Sequence, residues 1–137
     1  LRIGYSQPQG SGQGFARTKK VFSGGTCTLV SADVTALNQV AIARLPKGFV
    51  LQSYSAVFGD MDTGTTLSTA IGDATSTARI AATATTGQAG GTLTTLAAAG
   101  SNYEFTADTD ILLTVTATAA TIGTTPTINF TCEGYMR

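Results

Sequence analysis

The chain has 137 residues, with eight Lys or Arg against eight Asp or Glu, 42% hydrophobic and 12% charged. That length suits one domain; a charged fraction near half the usual ~25% argues against a disordered chain, and the zero balance argues against a dedicated nucleic-acid binder. The sequence has no His and no Trp, so the commonest general base and zinc ligand is missing together with the best stacking ring, and catalysis and glycan binding both start from poor material.

Residues 1–25, LRIGYSQPQGSGQGFARTKKVFSGG, differ from the rest of the chain: glycines, glutamines and a proline leave no sustained periodicity, which predicts an extended arm rather than an element of the core. Its charge is lopsided. Arg2, Arg17, Lys19 and Lys20 are half of all the bases and no acid precedes Asp33, so the arm carries +4 and the remainder −4. Gly10-Ser-Gly-Gln-Gly14 follows no strand and lacks the Gly-Lys-Ser/Thr ending of a phosphate loop, so it reads as a linker. Ile3, Tyr5, Phe15, Val21 and Phe22 are interleaved with the bases. That pattern suits docking into grooves of a protein surface or contact with single-stranded nucleic acid, but four charges make only a weak, salt-sensitive phosphate binder, which favours protein docking.

From Thr26 onward, Thr and Ala alternate with larger apolar residues in short runs separated by turn signals, predicting an antiparallel β-sandwich over 26–137. The runs are 26–31, 36–45, 48–58, 65–72, 78–85, 91–97, 102–107, 110–119 and 126–135. The clearest period-2 sets are Ile111, Leu113, Val115, Ala117 and Ile128, Phe130, Cys132; Thr114, Thr116, Thr118 and Thr127, Asn129, Thr131 are expected to face outward. Leu67 and Ile71, then Tyr103 and Phe105, repeat the alternation. Turns are expected at Pro46-Lys47-Gly48, Gly59 to Gly64, Gly72-Asp73, Gly90-Gly91 and Gly100-Ser101-Asn102. Residues 81–99 admit short helical turns at their Ala-rich ends, while Thr and paired glycines oppose a long helix. No apolar run approaches the ~20 residues that span a bilayer, so no membrane partner is expected.

Acids cluster in the turns. Asp60-Met61-Asp62-Thr63-Gly64 echoes a calcium loop but lacks its third acidic ligand and downstream Glu, so Asx and Ser/Thr turns are the expected use of Asp60, Asp62, Asp73, Asp108 and Asp110, and no metal or cofactor site is assigned. Cys27 and Cys132 fall on the first and last expected core strands, where a disulfide is one option and two buried thiols the other. Without His, neither cysteine is an activated nucleophile, and no catalytic residue is assigned.

The segments Ala41-Ile-Ala-Arg-Leu-Pro-Lys-Gly-Phe-Val50 and Asp60-Met-Asp-Thr-Gly-Thr-Thr-Leu-Ser-Thr-Ala-Ile-Gly-Asp73, followed by Gly87-Gln-Ala-Gly-Gly91 and Tyr103-Glu-Phe-Thr-Ala-Asp-Thr-Asp110, resemble a family of tailed-bacteriophage head decoration, or cement, proteins. The resemblance runs in order through residues 36–118. It implies a jelly-roll-like sandwich that trimerises on the outer surface of an icosahedral head, with the major capsid protein as partner, assembly in the bacterial cytoplasm and no enzymatic activity. A reducing cytoplasm favours two thiols over a disulfide. On this reading the arm residues Arg2, Ile3, Tyr5, Phe15, Arg17, Lys19, Lys20, Val21 and Phe22 would bind the capsid. A surface adhesion or carbohydrate-binding sandwich is the alternative.

Overall fold

The computed structural model describes residues 2–4 and 19–137. Among the described residues, ten strands are arranged in two sheets: β1 Arg2–Ile3, β2 Lys19–Thr28, β3 Gln39–Leu45, β4 Phe49–Phe58, β5 Ser68–Gly72, β6 Ala81–Ala84, β7 Gly91–Leu93, β8 Tyr103–Glu104, β9 Thr109–Ala117 and β10 Thr127–Met136. One sheet has the order β1-β3-β9-β5-β6 and the other β2-β10-β4-β7, with β8 also paired to β4. Apart from the short β1, which lies parallel to β3, all pairing is antiparallel. Early strands pair with late ones, β2 with β10 and β3 with β9, and the chain wraps between the sheets as in a jelly roll.

The inner faces meet in one apolar core containing Phe22, Ile42, Phe49, Leu51, Ile71, Phe105, Ile111, Leu113 and Phe130. The expected alternation on β10 is realised, with Ile128, Phe130 and Cys132 buried and Thr127, Asn129 and Thr131 half-exposed. Phe130 stacks on Tyr54 with ring centroids 6.0 Å apart, and Val115 is buried in the opposite sheet. Truncating Phe130 to Ala is expected to cost about 3–5 kcal/mol in urea unfolding, because the cavity lies between two sheets that cannot collapse onto it. A loss below about 1 kcal/mol would contradict this register.

Three expectations change. Strand β2 begins at Lys19, so Lys19–Gly25 belong to the sandwich and not to an arm. Phe22 is 7% exposed and meets Phe49 edge-on at 5.1 Å. A bulge hides the pattern in the sequence. Between Asn129, opposite Thr26, and Thr131, opposite Ser23, β10 spends one residue and β2 spends Gly24 and Gly25. The inward set therefore shifts phase from Phe22 and Gly24 to Cys27 and Leu29. Glycine is required at both bulge positions: Gly25 has φ 72°, and a Cβ on Gly24 would lie 1.7 Å from the Ile42 carbonyl oxygen, where β2 closes against β3.

Second, Thr114 is 6% exposed although its alternation points outward. β9 is flanked on both sides by β3 and β5, and the Thr114 hydroxyl accepts a hydrogen bond from Gln39 Nε2 at 3.1 Å, so a buried polar group is satisfied. Third, the region 36–38 is a turn rather than strand, since β3 starts at Gln39. The ambiguous stretch 81–99 resolves into two short strands with a 3-10 turn at Thr86–Gln88, and a second such turn follows at Ala98–Gly100.

Cys27 and Cys132 lie on paired strands but opposite different residues, Ile128 and Phe22, and both are buried without a disulfide between them. Burial pushes the Cys132 thiol up to about 12, against a hydrogen bond with the Phe22 backbone that lowers it, which keeps the sulfur protonated and unreactive.

Candidate assembly surfaces

Of the residues expected to dock, Tyr5, Phe15 and Arg17 lie outside the described residues. Arg2 and Ile3 extend the edge of the β3 sheet opposite Val40 and Ala41, and Ile3 is 53% exposed. Gly4 continues the pairing by donating its N–H to the Ala41 carbonyl at 2.8 Å. Lys19 is exposed and pairs with Glu133 at 2.7 Å, and that contact holds the Glu133 carboxyl below its usual range. Lys20 and Val21 are half-buried, and Phe22 is committed to the core.

The acids fold the loops. Asp62 is the clearest case: its Oδ1 accepts from the N–H groups of Gly64 at 2.9 Å and Ala120 at 3.0 Å, and its Oδ2 from those of Thr66 at 3.0 Å and Leu67 at 2.9 Å. Burial would push this carboxyl up, but the backbone donors of Gly64, Leu67, Thr66 and Thr121 together outweigh it and hold the pKa at about 2. Asp73 accepts from the N–H groups of Thr75 and Ser76, and Asp108 from that of Lys47. Asp62 and Asp73 build turns by accepting nearby backbone donors, the use expected of these acids from the sequence, whereas Asp108 ties its loop to the distant Pro46-Lys47-Gly48 turn. Among the described residues no group of three or more His, Cys, Asp or Glu is placed to hold a metal ion.

The two ends of the sandwich differ in character. At one end a groove of about 390 Å³ is lined by Arg44, Asp73, Tyr103, Phe105, Asp110 and Leu112, among others. Arg44 pairs with Asp110 at 3.0 Å. Arg79 pairs with Asp73 at 2.5 Å and lies 3.9 Å from the centre of the Tyr103 ring, whose neighbour Phe105 sits edge-on at 4.9 Å. The carboxylates here are engaged by bases and backbone, an arrangement that fastens loops and leaves no acid–base pair poised across the groove.

The other end is formed by the connections 29–38, 59–67 and 118–126, which are laced together. Leu29 N–H donates to the Pro126 carbonyl at 2.7 Å, Ala119 N–H to that of Val34 at 3.0 Å, Thr63 N–H to that of Thr121 at 3.0 Å and Thr125 N–H to that of Asp60 at 3.1 Å. These connections contain no Lys or Arg, yet they expose Val30 (50%) and Leu37 (81%). Leu37 has φ 69°, in the left-handed region, at the third position of the turn Thr35 to Asn38. Nothing in Thr35-Ala36-Leu37-Asn38 announces this, because a bulky apolar residue is a poor predictor of positive φ.

No family model and no curated protein matches the sequence. Comparison with solved structures finds two similar chains. One belongs to the capsid of Ralstonia phage GP4, with a TM-score of 0.79 and 19% identity over 94% of this chain and 91% of that one. The other belongs to the capsid asymmetric unit of cyanophage Pam1, with a TM-score of 0.73 and 22% identity over 96% of this chain and 94% of that one. At these identities the likeness is one of fold: the chain shares, over nearly its whole length, the β-sandwich of two chains found in phage capsids.

Proposed function

We propose that this protein is a structural component of a phage head that decorates the outer capsid surface and braces contacts between neighbouring major capsid subunits. The observation that carries the reading is the near-complete overlap with chains of two phage capsid structures. It is supported by a sequence poor in charge and by acidic side chains spent on holding turns and loops. The action is mechanical: a protein that binds only the assembled lattice stabilises that state by mass action, and contacts across a subunit junction must break before the shell can open. The residues proposed to dock are Arg2, Ile3, Tyr5, Phe15, Arg17, Lys19, Lys20 and Val21; Phe22 is withdrawn, being packed on Phe49. The protein is further proposed to act as a homotrimer, assembled in the host cytoplasm and carried on the virion. The adhesion alternative loses ground because the Tyr103 ring, which lines the groove, is already covered by Arg79.

The test is reconstitution on purified heads that lack the protein, followed by cryo-electron microscopy and thermal challenge. Density on the outer surface over subunit junctions, with release of DNA shifted to higher temperature, is the expected result. Density inside the shell, or no gain in head stability at full occupancy, would overturn the proposal.

A further inference from the structure

We propose that β1 is a releasable strap: Arg2, Ile3 and Gly4 lift from the edge of β3 while the sandwich stays folded, and their release bares Cys27 and the Val40–Ala41 edge together. The inference does not depend on the capsid reading. On that reading it makes release of β1 the step that lets Arg2 and Ile3 leave β3 for the capsid.

The seat of the strap is the first support. Arg2 and Ile3 lie opposite Val40 and Ala41, and the Gly4 N–H donates to the Ala41 carbonyl at 2.8 Å. Gly4 rests where the edges of the two sheets meet, because a Cβ added to it would collide with Cys27 Sγ on β2 and lie 2.8 Å from Val40 Cγ1 on β3. Cys27 is 3% exposed and Val40 1%, and both belong to the core. A residue with no side chain therefore closes the core at this edge, lying directly on the thiol.

The weakness of the attachment is the second support. β1 is two residues long, and among the described residues it has a strand neighbour on one side. Its pairing is parallel, the slightly weaker ladder. Ile3 is already half-exposed, so lifting it from β3 sacrifices little apolar burial. Cys132 is held differently: it lies on β10, between β2 and β4, and is fully buried. Short edge elements with few buried contacts open at a fraction of the free energy that unfolds the domain, whereas central strands open only with it.

The two forms differ in what they offer. Seated, the strap caps the β3 edge and covers the thiol; lifted, it leaves the backbone of Val40 and Ala41 as a bare strand edge. Burial of Cys27 and Val40 beneath Gly4 keeps the seated form dominant. Whatever engages the lifted residues or the bared edge moves the balance toward the open form by its preference for that form.

The test is labelling of the full chain with N-ethylmaleimide in a urea series below the unfolding transition, the two thiols being followed separately by mass spectrometry of their peptides. Urea dependence is the comparison, because burial also slows Cys132 by holding it protonated. Cys27 is expected to react at a rate nearly independent of urea, since a local opening exposes little surface, while the Cys132 rate climbs steeply. Two variants remove the strap: Gly4→Val, whose side chain cannot be seated over Cys27 and Val40, and deletion of residues 1–4. Both should raise the Cys27 rate by about tenfold or more and keep it insensitive to urea, while Cys132 stays protected with its steep dependence. A Cys27 rate as steep in urea as that of Cys132, or one that neither variant raises, overturns the strap. So does loss of Cys132 protection in both variants, which would make β1 part of the cooperative sandwich.

Discussion

Replacing Asp62 with Asn is expected to lower the free energy of unfolding by about 3 kcal/mol, which for a domain of this size shifts the Tm by roughly 10 °C. The carboxylate is 2% exposed and its two oxygens collect N–H donors from Gly64, Thr66, Leu67 and Ala120, so one side chain ties the 59–67 connection to the 118–126 connection. An amide in its place turns an NH₂ toward some of those donors and leaves buried N–H groups without an acceptor. The pH dependence gives a separate signature. The folded pKa falls from 3.8 to about 2, and a group lowered by folding contributes stability that is fully present above its unfolded pKa and is lost as the pH falls through the folded one. Wild type should therefore lose about 2.5 kcal/mol between about pH 5 and pH 1, most of it between pH 4 and pH 2, that the Asn variant never had. Urea midpoints for the two proteins should converge across that window; curves that stay parallel would show that the carboxylate charge is not what holds the loops.

Removing residues 1–25 is expected to abolish cooperative folding, whereas removing 1–18 should leave a cooperative sandwich within about 2 kcal/mol of the full chain. The longer deletion takes Lys19–Gly25 out of a ten-residue strand, strips the Phe22 ring from Phe49 and uncovers the edge of β10 from Thr131 to Tyr135. Loss of the Phe22 packing alone costs on the order of 3–5 kcal/mol, a large fraction of the ~5–15 kcal/mol that a domain has in hand. The shorter deletion sacrifices the two-residue β1 and the Gly4 bond to Ala41. Thermal melts followed by circular dichroism separate the two outcomes. A sharp, native-like transition in the 1–25 deletion would mean that β2 before Thr26 is dispensable.

Sequence made the strands from Gln39 onward readable because antiparallel sheets with one wet face print their burial as a period of two, and because Gly, Pro, Asn and Asp mark the reversals between them. The Pro46-Lys47-Gly48 and Gly90-Gly91 signals fall where Gly48, Gly90 and Gly91 take positive φ, and Asn102 takes φ 55° in the turn before β8. Legibility ends where a tertiary cause interrupts the local pattern. The Gly24-Gly25 bulge breaks the period inside β2, so a strand that pairs along its length with β10 has the sequence of a flexible lead-in. Thr114 is buried by the position of its strand within the sheet, which no local window reports. The acids of the turns are legible as turn builders, but the convergence of Gly64, Thr66, Leu67 and Ala120 on Asp62 depends on two connections more than fifty residues apart in sequence meeting at one end. Leu37 carries no signal at all.

The pairing of β2 with β10 also fixes when the molecule can form. Lys19–Thr28 is made about a hundred residues before its hydrogen-bonded neighbour, Thr127–Met136. Until then the sheet containing Phe49 and Phe58 lacks its central strand, and the Phe22 and Phe49 rings have no closed interior to occupy. Folding of the sandwich thus waits on closure of a long loop, and the nascent chain carries open strand edges until β10 has been made. The low charge that suits the finished surface to protein contacts gives those edges little protection in the interval, so translation speed and chaperone supply are expected to govern how much of this protein reaches its folded state.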